Sequence, residues 1–127
     1  ITGGASGLGK STGELMAQEG AHVILSDIQT VEGNKVAESI KQEGGSCIFR
    51  SHDTTIESDW EDICSEILDD YGHLDILLNG AGVGSNAVEI EEMDMEIWRR
   101  CLSVNLDGVF WAVNMEFEQC ENLMVAQ

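Results

Sequence analysis

The chain of 127 residues has no proline, one tyrosine and only six lysines and arginines against 24 aspartates and glutamates, a formal charge of −18. With so few cations there is little to meet phosphate, so a nucleic-acid surface or an anionic membrane surface is excluded as a partner. No apolar run approaches the roughly 18 residues that a membrane span requires. The opening Ile1-Thr2-Gly3-Gly4 has neither a charged segment nor an apolar core, so no signal peptide is expected. Cysteine is sparse and unclustered: Cys47, Cys64, Cys101 and Cys120 contain no CxxC pair, and His22, His52 and His73 are scattered. That spacing gives no metal site and suits free thiols in a reducing, cytoplasmic compartment.

What is present is a globular mixture, 43% hydrophobic and 24% charged, with 14 glycines falling between apolar runs and at helix ends. No linker or low-complexity stretch divides it, so residues 1–127 read as a single domain. The acidic excess lies along amphipathic segments and is expected on solvated helix faces.

Short apolar runs alternate with helical patterns. Ile1 reads as the last residue of a strand whose beginning is absent. Helices are expected over 7–19, with Gly20 closing the first, then 31–43, capped by Thr30 and closed by Gly44-Gly45, then 56–71, capped by Thr55. A long last helix is expected over 95–117. Strands are expected over 21–26, 46–50 and 74–79, the last ended by Gly80-Ala81-Gly82. Strands separated by helix-length crossovers run parallel, with right-handed crossovers laying helices on both faces. The fold class is α/β, a doubly wound, Rossmann-like parallel sheet in three layers, truncated at both ends.

The loop over residues 2–9 joins the first strand to the first helix. Its glycines let main-chain N–H groups approach a phosphate, and the helix N-terminus adds partial positive charge. Two readings compete. Residues 4–11 satisfy GxxxxGK[ST], the triphosphate loop, in which Lys10 would reach the phosphates and Ser11 would hold Mg²⁺. The spacing of Gly3, Gly7 and Gly9 is also that of a dinucleotide turn. Asp27 closes the very next strand, 18 residues past Gly9 and close to the ~20 expected for a ribose-binding acid. A carboxylate there repels a 2′-phosphate, and Ile28 after it brings no arginine, so NAD is favoured over NADP.

With Thr2-Gly3-x-x-x-Gly7-x-Gly9, Asp27, Asp53, Asn79-Gly80-Ala81-Gly82 and Val104-Asn105-Leu106-x-Gly108 in this order, the chain resembles a short-chain dehydrogenase/reductase along essentially its whole length. The resemblance implies a cofactor turn built from Thr2, Gly3, Ser6, Gly7, Leu8 and Gly9. It implies ribose recognition by Asp27 beside Ile28, adenine contact by Asp53 with Thr54, and a cofactor border formed by Asn79, Ala81 and Gly82. Gly80 stands where the family has a second asparagine, which puts that residue's structural role in question. Asn105 matches the helix asparagine of the catalytic tetrad, whose carbonyl holds a water that relays protons.

The remaining tetrad members are a Ser and a Tyr-x-x-x-Lys pair. The sole tyrosine, Tyr71, is followed by Gly72-His73-Leu74-Asp75 and cannot serve. The chain therefore reads as the cofactor-binding half of a longer NAD-dependent oxidoreductase acting on an alcohol or ketone. As a fragment it is expected to lack turnover and to be marginal, with an unpaired apolar edge on its fourth strand. The parent is expected to be a homodimer or homotetramer built through the long helix. If Gln127 is the true terminus, a non-catalytic dinucleotide-binding module is the alternative. Trp60, Trp98, Trp111 and Met115 are expected to pack, Met93, Met95 and Met124 to fill gaps or lie on helix surfaces, and residues 89–94 to form a solvated acidic turn.

Overall fold

The computed structural model describes residues 1–84, 88–119 and 124–126, with side chains described as far as Met115. Its elements are α1 (Gly7–Gln18), β1 (His22–Asp27), α2 (Thr30–Gln42), β2 (Ser46–Ser51), α3 (Glu57–Tyr71), β3 (Ile76–Leu78), α4 (Met95–Leu102), α5 (Gly108–Gln119) and β4 (Met124–Ala126). A short 3₁₀ turn, Ile90–Glu92, occupies the acidic segment before α4.

β1 pairs in parallel with β2, Val23 against Cys47 and Leu25 against Phe49, and β3 pairs in parallel with β4. Thr2 joins the two ladders, bridging Ser26 on one side and Asn79 on the other. The order across the sheet is therefore β2, β1, Thr2, β3, β4. From Thr2 the chain moves outward through β1 to β2, then crosses back to β3 on the opposite side. The carboxyl ends beside Thr2 thus form the switch point where open α/β sheets bind ligands.

Strand alternation sorts the core into two layers. Val23, Leu25, Cys47 and Phe49 pack with Ala17 of α1 and with Val36, Ala37 and Ile40 of α2. On the other face Leu77 packs with Trp60 and Cys64 of α3 and with Ala112 and Met115 of α5. Leu25 is fully buried, and its truncation to alanine would cost about 2–5 kcal/mol. Burial pushes the Cys47 thiol up to about 11, in keeping with an inert core thiol. Cys47, Cys64 and Cys101 are thiols outside any disulfide, and Cys120 lies outside the described residues.

Five expectations are corrected. The long helix is not uniform: between α4 and α5, Ser103–Asp107 form a π-turn. The two threonine caps do not form. The residues preceding the helices are Gln29 and Ile56, neither with a capping side chain. Thr30 Oγ1 instead donates to Ser51 Oγ at 3.3 Å, and Thr55 Oγ1 to Asp53 Oδ1 at 2.7 Å. The edge of β3 is not left open, because β4 pairs with it, and Met124 lies in that strand rather than on a helix. Trp98 does not pack in the core and is 44% exposed, whereas Trp60 and Met115 are buried.

Candidate functional site

The site gathers where the sheet order reverses. Gly3 and Gly7 both take positive φ, +66° and +52°, which L side chains adopt only at a cost. Their surroundings differ. A Cβ on Gly3 would fall 2.6 Å from Gly80 O, and one on Gly80 the same distance from Thr2 O, whereas Gly7 faces open space. Gly3 and Gly80 therefore let two loops cross backbone to backbone. The glycine that replaces the expected asparagine is what this close approach needs. Gly9 is packed inward, where a Cβ would run into Gly3 O.

Thr2 fastens the crossing. Its Oγ1 accepts the N–H groups of Gly80 and Ala81, both at 3.1 Å, and its own N–H donates to Leu78 O at 3.0 Å. Ser6 precedes α1 without a side-chain cap, and the first turn of α1 holds no acid. The opening N–H groups of the helix thus meet no competing carboxylate from its own turn. Leu8 is 86% exposed beside them.

Asp27 ends β1 almost buried. Its Oδ2 accepts the N–H of Ala5 at 3.1 Å, and its Oδ1 accepts the N–H of Gln29 at 3.0 Å. The carboxylate is thereby tied to the glycine turn itself. Ile28 next to it is 62% exposed. Beyond β2, Asp53 Oδ1 accepts the Thr55 N–H at 2.9 Å, and the Asp53 N–H donates to Asp59 Oδ2 at 3.0 Å. Thr54 is buried, its carbonyl accepting Trp60 Nε1–H at 3.0 Å. Gly108 lies against it, where a Cβ would sit 3.1 Å from Thr54.

Asn105 lies in the π-turn. Its Oδ1 accepts the Val83 N–H at 2.9 Å and its Nδ2 donates to Val83 O at 2.8 Å. Gly82 adjoins the same carboxamide, while Asn79 is half-buried with its Nδ2 turned inward. Cys101, one helical turn earlier, also reaches Val83 O, at 3.8 Å. Thr2, Asp27, Asp53, Thr54, Asn79, Ala81 and Gly82 thus lie at or just past strand ends, Gly7, Leu8 and Gly9 open α1, and Asn105 reaches the loop after β3 through Val83. Ala5, Gln29 and Val83 were not foreseen. They act through main-chain groups, which leave no side-chain signature.

The residues of the competing triphosphate pattern are engaged within their own helix. Ser11 Oγ donates to Gly7 O at 3.1 Å, and Lys10 Nζ lies 3.7 Å from Glu14. Among the described residues no group of three or more His, Cys, Asp or Glu could hold a metal ion, and no helix is long and apolar enough to cross a membrane.

The family model described as short chain dehydrogenase matches residues 1–124. Cyclohexanol dehydrogenase of Acinetobacter sp. (strain SE19) is 35% identical over 116 residues, which cover 91% of this chain and 46% of that protein. The NADP-dependent (R)-specific alcohol dehydrogenase of Lentilactobacillus kefiri is 32% identical over 124 residues, 96% of this chain and 48% of the relative. Among solved structures, a citronellol catabolism dehydrogenase of Pseudomonas aeruginosa PAO1 superposes with a TM-score of 0.88 at 29% identity, covering 94% of this chain and 48% of that one. The chain spans about half the length of the curated relatives it matches. With the family match running from residue 1 to residue 124, and the same backbone path in a solved dehydrogenase, the chain belongs to the short chain dehydrogenase family.

Proposed function

We propose that this chain is the cofactor-binding part of an NAD(H)-dependent oxidoreductase that moves hydride between nicotinamide and an alcohol or ketone carbon. The observation that carries the reading is Asp27, a nearly buried carboxylate at a strand end, tied by the Ala5 N–H to the glycine turn. The turn and the opening of α1 offer main-chain N–H groups to a pyrophosphate, which lets a chain of charge −18 hold an anion without arginine. The exposed side chains of Leu8 and Ile28 give apolar surface for the cofactor's flat groups. When bound, the dinucleotide supplies the hydride acceptor or donor; everything else falls to the protein.

In this reading Thr2, Gly3, Ser6, Gly7, Leu8 and Gly9 hold the pyrophosphate side, and Asp27 takes the adenosine ribose hydroxyls. Asp53 and Thr54 border the adenine, and Asn79, Ala81 and Gly82 border the nicotinamide-side ribose. Asn105 spends its carboxamide on Val83. Its part in the reaction then falls to its main-chain carbonyl in the widened π-turn, which holds a water for proton relay. The Ser and Tyr-x-x-x-Lys groups of the reaction belong to the rest of the parent protein, so this segment alone binds cofactor without turnover.

The Lentilactobacillus kefiri relative is named NADP-dependent, so the cofactor choice proposed for this chain rests on its own residues. Here the fixed Asp27 charge opposes a 2′-phosphate. Exposed Trp98, Leu102, Leu106 and Phe110 recur every fourth residue along the α4–α5 helix and supply the apolar surface for a homodimer or homotetramer. The parent is read as a cytoplasmic protein with a small-molecule substrate. Titrating the chain with NADH and NADPH, followed by cofactor fluorescence, tests the central point. Tighter binding of NADH is expected; tighter binding of NADPH, or none of either, overturns it.

A further inference from the structure

Gly108 opens α5 with an ordinary helical backbone, φ −60° and ψ −38°. No left-handed turn calls for glycine there, and glycine is a poor helix former. What calls for it is a neighbour. A Cβ on Gly108 would stand 3.1 Å from three atoms of Thr54, its Cβ, Oγ1 and carbonyl oxygen, inside the distance at which carbon packs comfortably.

Thr54 has little freedom to withdraw. It is buried, and its carbonyl accepts Trp60 Nε1–H at 3.0 Å. Trp60 is itself buried and belongs to the core layer of Ala112 and Met115 of α5. On either side of Thr54, Asp53 Oδ1 accepts the Thr55 N–H, and the Asp53 N–H donates to Asp59 Oδ2. The loop after β2 thus rests on the start of α5 twice, directly at Gly108 and through Trp60.

Three residues before Gly108, the same stretch of chain holds the other side of the site. Asn105 grips both main-chain groups of Val83, just past Ala81 and Gly82. Residues 105–108 therefore touch the loop after β2 and the loop after β3, which approach from opposite sides of the switch point. A packed helix moves as a unit, so a shift of α5 away from Thr54 carries Asn105 with it.

We propose that Gly108 is a positioning residue for the cofactor: by letting Thr54 seat directly on α5, it couples the loop that borders the adenine to the Asn105–Val83 pair. A ligand that orders the Asp53–Thr55 loop fixes the seat of Gly108, and the Asn105 carboxamide then stays on Val83. The adenosine half of the dinucleotide in this way prepares the half of the site that takes nicotinamide. The inference rests on the assignment of Asp53 and Thr54 to the adenine border.

AMP reaches only the adenosine end, and the Val83 N–H, held by Asn105, reports the other. Hydrogen exchange followed by NMR tests the link. With AMP at saturation the Val83 amide should exchange about fivefold more slowly than in the free chain. AMP that binds without slowing Val83 overturns the coupling; AMP that does not bind overturns the adenine assignment and the coupling with it. Gly108→Ala should weaken AMP binding about tenfold and abolish its effect on Val83. Ile40→Val, in the core layer away from α5, loosens the fold and should leave both AMP affinity and the Val83 response unchanged. If Gly108→Ala keeps the original affinity and response, or Ile40→Val reproduces its losses, Gly108 is packing alone and the proposal fails.

Discussion

The carboxamide of Asn105 pairs with both main-chain groups of Val83, accepting its N–H at 2.9 Å and donating to its carbonyl at 2.8 Å. A side chain here does what a neighbouring strand does elsewhere. It stretches across 22 residues of sequence to hold the loop after β3 against the helix. The π-turn at Ser103–Asp107 presents the side chain there, in line with the frequent use of such wide turns at functional positions. Asn105→Leu keeps the size and removes both bonds, and is expected to cost about 1–3 kcal/mol in urea unfolding. Asn105→Asp keeps the acceptor but sets a carboxylate against Val83 O, so it should be no better than leucine.

Thr2→Val tests the crossing of the two loops. The change preserves shape but removes the oxygen that accepts from Gly80 and Ala81. A loss of about 1–3 kcal/mol is expected, with faster hydrogen exchange at those two amides. Thr2→Ser should retain most of the protection.

Gly80→Asn restores the residue that the family resemblance leads one to expect. In this backbone the new Cβ would meet Thr2 O at 2.6 Å, so the loops must part. Destabilisation of about 1–3 kcal/mol is expected by thermal or urea unfolding. A neutral or stabilising outcome would show that the crossing tolerates a side chain.

Asp27 does two things at once, and two substitutions separate them. Asp27→Asn keeps an acceptor for the turn but removes the charge, so the NADPH-to-NADH affinity ratio should rise about tenfold, which is 1.4 kcal/mol. Asp27→Ala also releases the Ala5 N–H, so both affinities should fall. Fluorescence titration of both cofactors reads the difference, and an unchanged ratio in the asparagine variant would remove Asp27 from cofactor choice.

His52 makes stability depend on pH. Burial holds its imidazole below the ordinary 6.5, against the opposing pull of Asp59 and Asp53. The unfolded chain then binds the proton more readily than the folded one. The stability contributed by keeping His52 neutral is complete above pH 6.5 and is lost as pH falls below that value. Urea midpoints should decline from pH 7.5 toward pH 5, and His52→Phe should flatten that decline. The Arg50–Glu66 pair is too exposed to contribute much to it.

Much of the site was legible because it makes unusual demands on residue type. A turn that needs positive φ twice within five residues, at Gly3 and Gly7, writes itself as glycine spacing, and the acid 18 residues beyond Gly9 stands at the end of a β-branched run. Asn105 stood out in the sequence but the interruption of the helix around it did not, because its partner, Val83, is 22 residues away and engaged only through its backbone. Thr30 and Thr55 look like caps, yet each hydroxyl finds another oxygen, Ser51 at the end of β2 for Thr30 and Asp53 two residues earlier for Thr55, so one tertiary and one local bond displace the capping preference. β4 is three residues long, too short for a period-two pattern to register.

The Thr2 hydroxyl holds two successive main-chain amides of the loop after β3, those of Gly80 and Ala81, while its own amide donates to Leu78 O. One side-chain oxygen therefore sets the path of the chain as it leaves the sheet. Its loss should raise hydrogen exchange at Gly80 and Ala81 well above that of the amides paired between β1 and β2, so that the loop opens without the ladder beside it.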